Sequence, residues 1–296
     1  MRDTALFRWI FYGHLWIAFG ATGLSWLSLR LAFGRQEVVS ETPVLAFIFF
    51  ATLAVYTLHR YLSFRRARSL PTARRYDLIA RHPKRSLAIG VGSLVLACGL
   101  GWPFVGSMWR LLLWAVPLTV FYLTPPLPGW PRLRDLPYLK VVWVGLAWSI
   151  MTVGIPEGIV SELINDSVPP AFCHLFLPGS LAPPYDAEVI VRFLFTGSVA
   201  LLFDLRDQEL DRSQGVKTVA NDLPALHRIL TFGCLTLCGL LTWHPCGWLY
   251  FALLPVASLT YGKRDEDWYA VVVNGFLLAP PLLYFLGAAA GAEVRF

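Results

Sequence analysis

The chain has 296 residues, 56% of them hydrophobic and only 15% charged, with a mean hydropathy of +0.56. Those values exclude an ordinary soluble domain and a disordered chain. The net charge of +6 is modest, so its placement says more than its size, and nothing points to nucleic acid as a partner.

Apolar runs of bilayer-crossing length recur along the sequence. They read as an all-α, polytopic membrane bundle of about nine transmembrane helices in a single domain, 1–296. A transmembrane β-barrel would show short alternating segments, and none stand out. Helix one is expected over about 7–29, with Trp9, Tyr12, Trp16 and Trp26 as interface aromatics. No small-residue cleavage site follows it, so it reads as a retained helix rather than a signal peptide. Helix two is expected over 43–64. The loop 65–85 then holds Arg65, Arg66, Arg68, Arg74, Arg75, Arg81, Lys84 and Arg85 against one acid, Asp77. Short loops rich in Lys and Arg stay in the cytoplasm, so this loop sets the topology.

Helices three and four are expected over 86–105 and 109–124. A proline-rich connection, 125–137, carries Arg132 and Arg134. Helix five follows over 138–156. The loop 157–187 holds Glu157, Glu162, Asp166 and Asp186 without Lys or Arg, which reads as the non-cytoplasmic side. Helices six to nine are expected over 188–205, 224–242, 246–262 and 268–290. This alternation places the N-terminus and the loops after helices two, four, six and eight in the cytoplasm. The natural location is a bacterial inner membrane. Cys234 and Cys238, one helical turn apart, read as packing. Asn274, polar within helix nine, is expected to face the bundle interior.

The chemistry concentrates in 199–220, VALLFDLRDQELDRSQGVKTVA. If the helix continues through it, Asp204, Asp207 and Asp211 are spaced i,i+3 and i,i+4 and share one face. Clustered carboxylates repel unless something cationic sits among them, either a divalent ion or the neighbouring Arg206, Arg212 and Lys217. On the same side fall His59 and Arg60 at the end of helix two. Tyr122, Arg134, Tyr138 and Lys140 lie there too, between helices four and five. Acids that hold metal, with Arg and Lys that grip anionic oxygens, suit a diphosphate at a bundle mouth.

The series Arg206-Asp207, Asp211, Gly215, Lys217-Thr218 resembles the second aspartate motif of the UbiA superfamily of intramembrane prenyltransferases. VFYLTPPL at 120–127 and RDLPYLKVVWVGLAW at 134–148 are similar to that family's helix four–five region. The resemblance implies transfer of a prenyl group from a prenyl diphosphate to an aromatic or other lipid acceptor. It implies Mg²⁺ on Asp207 and Asp211, with Asp204 in support. Arg134, Lys140 and Lys217 would neutralise the leaving diphosphate, and Tyr122 would stand near the reacting carbon. The family's first motif, Asn-Asp-x-x-Asp, is absent; TLHRYLSFRRAR stands there instead. His59 and Arg60, with Arg206, are the candidate diphosphate contacts in its place. The alternative is an inactive relative that binds an isoprenoid or lipid phosphate, or serves as an assembly partner.

Overall fold

A computed structural model describes residues 4–33, 41–66, 74–163, 185–242, 247–262 and 264–289. Among these residues the chain forms helical rods and no strand. They are α1 (Leu15–Phe33), α2 (Glu41–Arg66), α3 (Pro83–Gly101), α4 (Val105–Phe121), α5 (140–163), α6 (Tyr185–Ser213), α7 (Pro224–Leu241), α8 (Gly247–Thr260) and α9 (266–289). Six stretches are long and apolar enough to cross a membrane, counting Pro83–Phe121 as one. That stretch turns back at Trp102–Phe104, a 3-10 turn containing Pro103. Asp166, Cys173 and Cys246 lie outside the described residues.

The packing is apolar on both sides of the helices. Leu24, Ile48, Ile150, Phe195, Leu202, Leu235 and Val273 meet in one continuous core. Leu113, Trp114, Ile229, Leu240, Trp248 and Leu286 point outward and are exposed. A bundle greasy inside and out belongs in lipid, and this is an integral membrane protein. Polar side chains that face inward return their hydrogen bonds to the helix. Ser25 donates to the Ala21 carbonyl at 2.9 Å and Thr152 to that of Trp148 at 2.8 Å. Close helix approach relies on glycine: a Cβ at Gly90 would lie 2.8 Å from Leu58 Cδ2.

Several expectations shift. The first helix does not run unbroken over 7–29. A short helical segment ends at Tyr12, and Gly13 and His14 break the path before α1. His14 has φ 67°, in the left-handed region, so no helix passes through it. Tyr12 and Trp16 are tied inward rather than to a lipid interface: Tyr12 donates to Asp267, and Trp16 Nε1 donates to the Val271 carbonyl at 3.2 Å. Glu157 belongs to helix rather than to an outer loop and is buried. Near it, within the bundle, Arg192 pairs with Glu188 and donates to Ser28 at 3.0 Å and Thr152 at 3.2 Å. Asn274 is buried, as expected, and donates to the Ala270 carbonyl at 3.2 Å. Cys238 is buried and gives its thiol to the Val191 carbonyl.

Helix α6 has 29 residues. At 1.5 Å rise it spans about 44 Å, against a hydrocarbon core of roughly 30 Å. Its last turns, Asp204 to Asp211, therefore stand at the bundle mouth. The helix stops at Gly215, whose φ of 70° suits glycine and lets Val216 N–H reach back to the Asp211 carbonyl at 2.9 Å. Thr218 then caps the next turn by accepting from Asn221 N–H at 3.3 Å.

Candidate functional site

The helix does continue through the acidic stretch, so Asp204, Asp207 and Asp211 share a face. Asp204 and Asp211 are buried. Lys140, at the first position of α5, inserts between them with Nζ 2.7 Å from Asp204 and 2.9 Å from Asp211. Arg134 adds a longer contact to Asp211 at 3.6 Å. Asp207 is held differently. Arg206 chelates it at 2.9 and 3.2 Å, and Arg75 pairs with Oδ1, the oxygen that also accepts from Arg206 Nε. Arg75 also donates its backbone N–H to Glu266 at 2.8 Å. Burial works against its charge, but Asp207 and Glu266 outweigh that and raise its pKa.

The structure thus brings together Lys140, Arg134 and Arg206 with the three acids. Tyr122 is beside them, its ring centroid 5.8 Å from that of His59. Burial pushes its phenol up, against the pull of Lys140 and Arg134, so it stays a neutral hydroxyl. Lys217 is not brought in: its side chain is exposed, and its carbonyl accepts from Tyr138 N–H at 3.2 Å. Gly215 and Thr218 of the same motif act as helix caps. Arg60 stacks over Tyr76 at 5.5 Å and makes no carboxylate pair among the described residues.

The carboxylates do not fit a divalent ion as they stand. Each already has a cation on it, and Lys140 occupies the space between Asp204 and Asp211. Among the described residues no group of three His, Cys, Asp or Glu side chains is placed to hold a metal. Three acids face Lys140, Arg75, Arg206 and Arg134, so local charge is already balanced or positive. A dication there would have to displace Lys140 first.

Two cavities open beside this network. One, of about 110 Å³, has mixed walls: its polar, cationic part is made by Arg60, Arg75, Arg206, Glu266, His14 and Asn274, among apolar side chains such as Ile17 and Phe203. The other, of about 410 Å³, is apolar, between Leu58 and Leu62 of α2, Leu94 of α3, Leu118 of α4 and Met151 of α5. His59 and Tyr122 sit on its wall. Leu62, Leu94 and Val120 are also exposed on the outer surface, so this slot opens sideways toward lipid. Tyr56, Val144 and Trp148 border both spaces. Trp148 Nε1 donates to Tyr56 Oη at 3.0 Å and closes the wall between them. Helix α2 straddles that wall, with His59 on the slot and Arg60 on the polar cavity.

Sequence reasoning missed Arg75, His14, Tyr56 and Trp148. Arg75 was one of eight basic residues in a loop, and only the fold shows that it turns inward. His14 carried one weak signal, the helix-breaking Gly13 before it. Tyr56 and Trp148 had no local signal.

No family model matches the chain, and no curated protein matches its sequence. Its structure is similar to a solved structure of digeranylgeranylglyceryl phosphate synthase in membranes, with a TM-score of 0.50 and 13% identity, covering 95% of this chain and 97% of that one. At that identity the likeness speaks for the fold. The helical membrane fold is similar to that of this synthase, in agreement with the fold that the motif resemblance implied.

Proposed function

We propose that the protein transfers a prenyl group from a membrane-borne prenyl diphosphate to a lipid or aromatic acceptor. One observation carries this reading: a lipid-facing apolar slot meets a cationic polar cavity across a wall one side-chain pair thick. An isoprenoid tail suits the slot. Its diphosphate suits guanidinium groups at the mouth. Arg60 is the strongest candidate grip, since no carboxylate competes for it, and Arg206 and Arg75 lie in the same cavity.

When the carbon–oxygen bond to the diphosphate breaks, negative charge builds on the departing group. Fixed guanidinium groups aimed at that charge lower the barrier. The carbon left behind is an allylic cation, and the π faces of Tyr56, Trp148 and Tyr122 lie along the wall where it would form. Lys140, Asp204 and Asp211 act as a scaffold that fixes α5 against α6 and shapes the mouth. The basic 65–85 loop supports a cytoplasmic mouth by the positive-inside rule.

Direct gripping by Arg60 replaces the missing first acidic motif, so Mg²⁺ is not needed to bind the donor. The test is binding of labelled geranylgeranyl diphosphate to the full chain in nanodiscs, with Mg²⁺ and with EDTA. Binding that survives EDTA and falls in Arg60→Ala supports the reading. Binding lost in EDTA restores a metal to the acids. No binding in either condition sinks the transferase reading and leaves a lipid-binding or assembly role.

A further inference from the structure

His14 stands between two cavities. It borders the polar cavity described above and also a third space of about 10 Å³. That third space is walled by Trp9, Tyr12, Thr57, Leu78 and Ser86. It is close to the volume of one water molecule. His14 is 4% exposed, and neither ring nitrogen has a hydrogen-bond partner in the protein. The hydroxyls of Thr57 and Ser86, in the same small space, are also buried without a protein partner. Four orphaned polar atoms around one passage are costly unless something polar uses it. The backbone points the same way: His14 holds a left-handed φ of 67°, a strained conformation for a residue with a side chain.

The other groups that border the polar cavity are not available to take a proton. Glu266 is engaged by Arg75. Arg60, Arg75 and Arg206 are cations already. Asn274 has no basic atom. Asp207, beside the cavity, is locked between Arg206 and Arg75. Elsewhere, His227 is tied to Tyr261 and the Leu201 carbonyl, and His59 borders the apolar slot. Among the groups bordering the polar cavity, His14 alone combines a basic atom with the absence of a protein partner.

We propose that His14 accepts the proton released by prenyl transfer and relays it through the space walled by Thr57 and Ser86. The proposal rests on the transferase reading. In the step, the bond from the donor carbon to the diphosphate oxygen breaks and its electron pair leaves with the diphosphate. An electron pair of the acceptor closes the new bond to that carbon. The proton the acceptor then sheds goes to one imidazole nitrogen. The opposite nitrogen gives up its own proton to a water in that space, hydrogen-bonded by Thr57 and Ser86, and the proton passes on to solvent, which returns the ring to neutral. Water as acceptor follows the same path and yields the prenyl alcohol.

Two substitutions keep the backbone while removing the base. His14→Asn and His14→Gly both tolerate a left-handed φ, so neither adds strain. The full chain in nanodiscs is given geranylgeranyl diphosphate, with water or 4-hydroxybenzoate as acceptor. Donor binding, diphosphate release and the solvent deuterium isotope effect are measured. Both variants are expected to bind donor as the native chain does and to turn over about 100-fold more slowly. Added imidazole restores His14→Gly but not His14→Asn, whose side chain still fills the site. Thr57→Val with Ser86→Ala slows turnover and leaves donor binding unchanged. Native turnover in His14→Asn with an unchanged isotope effect would overturn the relay and leave the transferase reading intact. Loss confined to His59→Asn would do the same. A native chain inert toward donor with either acceptor would overturn both.

Discussion

Lys140 and Asp211 are joined at 2.9 Å across the bundle mouth, linking the start of α5 to the end of α6. The same ammonium lies 2.7 Å from Asp204. One cation therefore serves two buried acids. Removing it leaves Asp204 without its cation and Asp211 with only the longer Arg134 contact. Lys140→Met should cost about 3–5 kcal/mol of stability, read as a lower midpoint in thermal unfolding. The same variant frees Asp204 and Asp211 for a divalent ion. Mg²⁺ should raise its unfolding midpoint and leave that of the native chain unchanged.

Among the described residues, Arg60 is the guanidinium of the polar cavity that no carboxylate pairs with. Its contacts with a diphosphate are charge-assisted, each worth about 1.5–3 kcal/mol. Arg60→Ala should weaken geranylgeranyl diphosphate binding by about 10- to 100-fold, with the unfolding midpoint little changed. Equal affinity in native and variant chains would remove Arg60 from the donor site.

Tyr56 and Trp148 divide the slot from the polar cavity. Tyr56→Phe strands the indole N–H of Trp148 and should cost about 1–3 kcal/mol. Trp148→Ala removes the wall and should cost about 3–5 kcal/mol. The second variant joins the two spaces, so it should shift preference toward longer prenyl diphosphates. Competition among C10, C15 and C20 donors measures this, and an unchanged ranking would show that the wall does not set length.

Arg192 and Glu188 form an ion pair within the bundle, and the Ser28 and Thr152 hydroxyls accept from the same guanidinium. Arg192→Leu alone leaves buried acid unpaired and should cost about 3–5 kcal/mol. Arg192→Leu with Glu188→Leu should recover most of it. A double variant as unstable as the single would mean that the pair contributes more than mutual neutralisation.

The all-helical membrane bundle and the shared face of Asp204, Asp207 and Asp211 were legible in the sequence, because hydropathy and the helical repeat are local. So was the meeting of Tyr122, Arg134 and Lys140 with those acids, through the family resemblance. The identity of the counter-cations was not. Arg75 reaches Asp207 across a separation of 132 residues, and no local pattern encodes that. Three acids spaced for a metal and three acids spaced for Lys140 and three arginines read alike in one dimension. Lys217 failed for a related reason: its motif neighbours Gly215 and Thr218 are there to end one helix and begin the next. Glu157 was misplaced because an acid near an expected helix end looks like loop, whereas helix α5 continues through it and buries it.

The slot between α2 and α4 opens past Leu62, Leu94 and Val120 on the apolar outer surface of the bundle. On the proposed function, a donor taken up there would reach the site by two-dimensional diffusion. What saturates the protein is the mole fraction of isoprenoid in the surrounding leaflet, not its molar concentration in the sample. Diluting the donor with inert lipid should slow the reaction at constant total amount, while diluting the whole suspension with buffer should not.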